Sequence, residues 1–286
     1  AIILDYMGKM AKANVHPAAR VNAMLMIGEL NEVEPVRAGD APVPLSAALP
    51  VLLNTIDDQQ QIDPVKVAAL VGVTRHAQFG RLTPEATAAI QRTMIQLASS
   101  SGAPARSADG HAWMRALAAK TLGLLRSLGE NGAVPRLLAS LVQDQQLDML
   151  VRCQAAAALG NLNYGGGAGL NVSQLIGALG QLAADAIGEE AKTFEDDPES
   201  FSGRRIKGRL VAVRQGLVGN DDDEQSQGIS PLATGENQRA FAALRSTIDD
   251  ALTLFDDKQM DDADLVEKLQ AAAAKVPPAG AAPAAP

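Results

Sequence analysis

Residues 134–162 read VPRLLASLVQDQQLDMLVRCQAAAALGNL, and the reading of this stretch decides the fold. A Pro near the start, a Leu pair after it and apolar residues three or four apart describe one amphipathic helix. QDQQLD breaks that pattern. A second run follows, in which a cation, Arg152, precedes a small residue three later, Ala155, and then Leu159-Gly160. Two short helices joined this way cannot bury their apolar faces alone, so they must stack on others like themselves.

The second-helix skeleton returns elsewhere. Arg20-x-x-Ala23 precedes Ile27-Gly28, Lys66-x-x-Ala69 precedes Val73, and Arg115-x-x-Ala118 precedes Leu122-Gly123. Arg205-x-x-Gly208 forms a weaker fifth copy. Anchors at 20, 66, 115, 152 and 205 carry the spacing of helix-pair repeats with loops of unequal length. The small residue lets neighbouring helices approach. Asp63 reads as a helix cap with Pro64 at the first position, Thr83-Pro84-Glu85 as another, and Gly129 and Gly132 as helix closers. Pro35, Pro42 and Pro44 mark a loop with no strand signal. Phe241, Leu244, Ile248, Leu252 and Phe255 predict a later helix, and 264–274 a shorter one.

The fold class expected is therefore all-α: a solenoid of about five antiparallel helix pairs plus a C-terminal helical segment. It divides into a solenoid over 1–218, an acidic and polar linker loop over 219–235, a C-terminal helical hairpin or capping helices over 236–275, and a disordered Ala/Pro tail over 276–286.

LPVLLNTIDD…DPVKVAAL and the 134–162 stretch resemble the HEAT-repeat family of α-solenoids. They share its Pro early in the first helix, its Leu-Leu, its Asp near the turn, and its cation and Ala in the second helix. The resemblance also implies that this cation lies at the turn side and bonds an acid or carbonyl of the neighbouring unit. The resemblance spans about 1–218. His16 stands where the family usually has Asp, and the fifth copy lacks the usual Asp–cation pair. What it implies is a bacterial, non-catalytic protein–protein interaction scaffold acting within a larger assembly. An enzyme on a HEAT-like scaffold, such as a phycobilin-lyase-like protein, stays open as an alternative, as does a nucleic-acid adaptor.

Composition narrows the chemistry. Aromatics are only 3% of 286 residues while hydrophobic residues are 47%, so the apolar mass is Ala, Leu, Val, Ile and Met. The net charge of −8 falls entirely in residues 151–286, which disfavours nucleic acid as a partner. Cys153 is the single cysteine, and three scattered histidines give no metal-ligand spacing, so no cofactor or metal is expected. No segment is long and apolar enough to span a membrane. Ala1 reads as a processed or truncated start, leaving cytoplasm and bacterial envelope both open.

Partner-binding candidates are polar positions on the second helices, Asn22, Glu29, Arg75, His76, Arg126 and Asn161, together with Tyr164 beside the glycines of 165–169. Trp113 and Cys153 read as core. RRIKGRLVAVR offers an anion-binding patch of Arg204, Arg205, Lys207, Arg209 and Arg214, unless nearby acids pair with it. GGGAG at 165–169 follows a helix and lacks Gly-Lys-Ser/Thr, so it reads as a connector. Asp256–Glu267 has the length of a calcium loop but places Lys258 and Met260 at ligand positions. The partner expected is another protein, with self-association through solenoid ends.

Overall fold

A computed structural model describes residues 2–37, 39–102, 106–165 and 169–276. The centre of GGGAG and nearly all of the Ala/Pro tail lie outside the described residues. Among those residues the chain forms twelve α-helices and one two-stranded ribbon, and it divides into two compact units, 1–125 and 126–286. Each unit is a stack of helix hairpins, so the chain is an all-α protein of solenoid type.

In the first unit α1 (Ile2–Lys12) packs on α2 (Pro17–Glu29), α3 (Leu49–Asp57) on α4 (Asp63–Phe79), and α5 (Pro84–Ser99) on α6 (Ala108–Leu124). Second helices stack on one another, α2 on α4 and α4 on α6. Gly28 and Gly72 meet face to face there: a Cβ on either would sit 3.0 Å from the other's Cα. Two residues on, on the opposite face of α4, Thr74 and Thr121 share a buried hydroxyl–hydroxyl hydrogen bond of 2.8 Å between α4 and α6. The proline-rich loop is not strandless. Residues Asn31–Val33 (β1) pair antiparallel with Val43–Pro44 (β2). Two and three residues of pairing are too few to show as an alternating pattern in sequence.

In the second unit α7 (Ala133–Gln143) packs on α8 (Met149–Gly160) and α9 (Val172–Asp196) on α10 (Gly203–Val218), with α8 stacked on α10. The close approach repeats: a Cβ on Gly160 would overlap the Gln215 carbonyl of α10. α11 (Glu236–Thr253) lies on α9 and α10, and α12 (Asp262–Ala273) on α9. Their inward faces bury Leu244, Ile248 and Leu269. Residues 219–235 are tied down: Ser226 Oγ donates to the Gly160 carbonyl (2.9 Å), and the Gly228 and Ile229 amides donate to Gly160 and Gly216 (3.0 Å each).

The repeated cation has a defined job. Arg20 Nε donates to the Ala11 carbonyl (3.1 Å), Arg115 Nε to Ala98 (2.8 Å) and Arg152 Nε to Val142 (3.3 Å). Each acceptor is the penultimate residue of the first helix in the same pair. Those last-turn carbonyls have no intrahelical partner and carry the negative end of the helix dipole, so a guanidinium satisfies both needs. The carbonyl thus belongs to the cation's own pair, not the next one. Only the far end reaches onward: Arg20 to Gln61, and Arg152 to Asp185 at 2.8 Å.

The fifth copy lies four residues later than Arg205-x-x-Gly208. Gly208 has nothing within 4 Å of where its Cβ would be, whereas Ala212 is 7% exposed. Arg209, not Arg205, is therefore the anchor, with Ala212 three residues on. One helical turn separates the two arginines, so both sit on the same stripe and periodicity cannot choose between them.

Local caps also differ from expectation. Ile62 occupies the cap position of α4, and Asp63 turns instead to Arg106, which donates from Nε and Nη2 at 2.7 Å each. That pairing holds the Asp63 carboxyl below the usual carboxylate range. His16 does an aspartate's work, its Nδ1 accepting from the Ala18 amide at 3.2 Å. α6 ends at Leu124, before Gly129 and Gly132, and Gly132 at φ 71° instead opens α7.

Candidate functional site

The first unit contains a cavity of about 610 Å³ built where four segments converge. The ribbon supplies Glu32, Val33, Val43 and Pro44; α3 supplies Leu49, Leu53 and Asn54; the end of α4 and the loop after it supply His76, Arg81 and Leu82; the start of α5 supplies Thr83, Ala86 and Ala89. Local sequence explains the shape. Thr83 caps α5 by accepting from the Ala86 amide (3.2 Å) and fixes the turn out of α4. Ala86 and Ala89 are short, so α5 leaves room opposite Leu49 and Leu53. Glu32 accepts from the Ser46 hydroxyl (3.0 Å), which ties the ribbon to the start of α3.

The volume falls within the usual range for a ligand pocket, and the walls are mostly aliphatic with a few polar groups between them. His76 is 1% exposed and its Nε2 has no hydrogen-bond partner among the described residues. Burial, helped by the neighbouring Arg75 charge, pulls its pKa from 6.5 to about 4, so the imidazole is neutral at pH 7. A neutral ring can offer one donor and one acceptor to whatever enters.

The sequence candidates do not form one surface. Asn22 and Glu29 are exposed on α2, beside Leu25 and Met26, which are 40% and 49% exposed. Arg75 is largely spent on structure: it donates to the Gly28 carbonyl (3.2 Å) and to Asn31, and pairs with Glu29 at 3.5 Å. His76 lines the cavity. Arg126 is not on a second helix; it follows α6 at φ 54° and pairs with Asp223. Asn161 Oδ1 lies 3.0 Å from Ser226 Oγ, at the point where the acidic loop is anchored. Tyr164 is corrected from surface anchor to core: it is 6% exposed and its hydroxyl donates to the Leu159 carbonyl at 2.9 Å. Trp113 is corrected the other way, being 40% exposed.

The basic stretch of α10 is largely consumed by acids. Arg205 pairs with Glu190, Arg209 with Glu189 and Glu190, Lys207 with Asp256, and Arg214 with Asp221 and Asp249. Arg204 is exposed. Internal pairing thus takes up the charge that an anion-binding patch would need. Among the described residues no group of His, Cys, Asp and Glu has metal-site geometry, and no helix is long and apolar enough to cross a membrane. The cavity itself was missed in sequence, because its walls come from residues 32 to 89 and consist of ordinary aliphatic residues. The one signal was His76, singled out as a surface residue.

No family model matches the chain, and no curated protein sequence does. Among solved structures the chain is similar to a computationally designed armadillo repeat protein for modular peptide recognition, at 16% identity and TM-score 0.42, covering 96% of this chain and 99% of that one. It is also similar to a designed armadillo repeat protein in complex with the peptide (KR)4, at 15% identity and TM-score 0.41, covering 96% and 98%.

Proposed function

We propose that this protein is a non-catalytic interaction scaffold of HEAT type, whose first unit receives apolar side chains of a partner protein in the cavity between the ribbon, α3, α4 and α5. The observation that carries the reading is the cavity itself: about 610 Å³, aliphatic walls, and polar groups confined to Glu32, Ser46, Asn54, His76, Arg81 and Thr83. A nucleophile needs a base in contact with it and a group orienting that base. Among the described residues the one imidazole lining the cavity is neutral, and its Nε2 has no hydrogen-bond partner. That supports binding over covalent chemistry. Exposed Asn22, Leu25, Met26 and Glu29 on α2 supply a second contact area. The lack of any cationic excess supports protein over nucleic acid. Self-association belongs to the same reading, through the outer face of α1, where Ile2, Ile3 and Tyr6 are exposed.

A photo-crosslinking residue at Asn54, in cells of the source organism, tests the cavity. The reading expects a discrete protein adduct that disappears when Ala86→Trp fills the cavity. An adduct that survives Ala86→Trp, or a folded protein that yields none, contradicts it. Light scattering of wild type against Ile3→Glu tests self-association.

A further inference from the structure

Among the described residues, His76 is the one buried polar side chain in the wall of the first unit's cavity. The other polar members of that wall, Glu32, Ser46, Asn54, Arg81 and Thr83, are exposed. Some of them are also committed to one another or to the backbone: Ser46 Oγ donates to Glu32 (3.0 Å), and Thr83 Oγ1 accepts from the Ala86 amide (3.2 Å). The His76 ring is committed to nothing. It is 1% exposed, its Nε2 has no hydrogen-bond partner, and its Nδ1 makes no hydrogen bond among the described residues either.

A buried imidazole without a partner is costly, and an occupant that supplies one bond removes part of that cost. A purely aliphatic or phenyl occupant leaves the cost in place. A charged group would be stripped of water between Leu49, Leu53 and Leu82, against a ring that carries no charge. What fits is a neutral polar group at the tip of an apolar body. A hydroxyl both donates and accepts, so it meets either tautomer of the ring, whereas an indole N–H only donates. The hydroxyls of Ser and Thr have no apolar body to fill about 610 Å³. Tyrosine has the body and the tip, and it is a favoured anchor residue in binding pockets. We infer that the cavity receives a tyrosine side chain of the partner protein, its ring between the aliphatic walls and its hydroxyl bonded to the His76 imidazole. The inference rests on the cavity being the partner site proposed above, and it names what enters.

The test is an NMR titration of the whole protein with N-acetyltyrosinamide and with N-acetylphenylalaninamide, which differ by the hydroxyl alone. Both should shift the Leu49, Leu53 and Leu82 methyls saturably. The tyrosine amide should bind about fivefold more tightly, which is the ~1 kcal/mol of one hydrogen bond. It alone should move the His76 ring-nitrogen resonances. In His76→Leu the two amides should bind equally, and Ala86→Trp should abolish binding of both. The wild-type ring-nitrogen shift decides the matter if His76→Leu does not fold. Equal affinities in wild type, or a preference that survives in His76→Leu, would overturn the inference and leave the apolar cavity standing. Binding of p-cresol without binding of the tyrosine amide would overturn it in favour of a free phenol. Binding of neither amide nor p-cresol would overturn it together with the function proposed for the cavity.

Discussion

His76 is a histidine kept neutral by its surroundings, and this makes a pH dependence readable. Its folded pKa of about 4 lies below the 6.5 of an unfolded chain. Above pH 6.5 both states are neutral there and nothing is lost. Between 6.5 and about 4 only the unfolded state takes the proton, so stability falls as pH falls, by about 1.4 kcal/mol per pH unit. Urea denaturation from pH 7 to 4 should show this slope, and His76→Leu should reduce it. An equal slope in His76→Leu would assign the effect to other groups. Cys153 is the opposite case of burial. At 5% exposure its thiol is pushed up to about 12, so it should resist alkylation at pH 8 in the native protein and react once urea unfolds it. Sequence read Cys153 correctly, because an Ala-rich helix face is an apolar setting. It misread Tyr164 and Trp113, because a lone aromatic carries no information about which way its helix end faces.

The glycines of the packed helices separate close approach from mere permissiveness. Gly160→Ala pushes a methyl into the α10 backbone and should cost about 2–3 kcal/mol of stability, by overpacking. Gly188 on α9 and Gly208 on α10 have open space where a Cβ would go. Ala at either should stabilise by about 0.5–1 kcal/mol, through helix propensity alone. Thermal melts of the three variants check both signs. A destabilising Gly208→Ala would restore Arg205 as the fifth anchor. Arg152 is 4% exposed and bonds both Val142 and Asp185, so Arg152→Met should cost about 3–5 kcal/mol by leaving buried acceptors unpaired. The helices and four of the five anchors were legible, since apolar period and a cation-to-alanine step leave a direct trace. The cation's acceptor was not legible, because a carbonyl has no letter of its own. Nor was the β1–β2 ribbon, whose pairing is shorter than any period.

For the whole molecule, the decisive fact is that each unit has its own core. Leu52, Leu70 and Met94 are fully buried in the first, and Leu138, Leu159 and Leu210 in the second. A chain ending at Leu125 should therefore unfold cooperatively in urea by itself, with a dispersed amide spectrum. A gradual, non-cooperative loss of signal would show that the first unit's core is insufficient. The acidic half was legible as charge but not as placement: its carboxylates at 189, 190, 221, 249 and 256 meet the basic residues of α10, and that cancellation appears only once the helices pack. Function was the least legible level, because the cavity of the first unit is made by what is missing, the bulk that the short Ala86 and Ala89 of α5 do not supply.

The account depends on second helices lying directly on second helices. An isotope-edited NOESY spectrum tests this with two contacts, Gly28 Hα to Gly72 Hα in the first unit and Gly160 Hα to the Gln215–Gly216 backbone in the second. Stacked hairpins predict both cross-peaks. A folded protein whose spectrum lacks both would contradict the repeat stack and every assignment built on it.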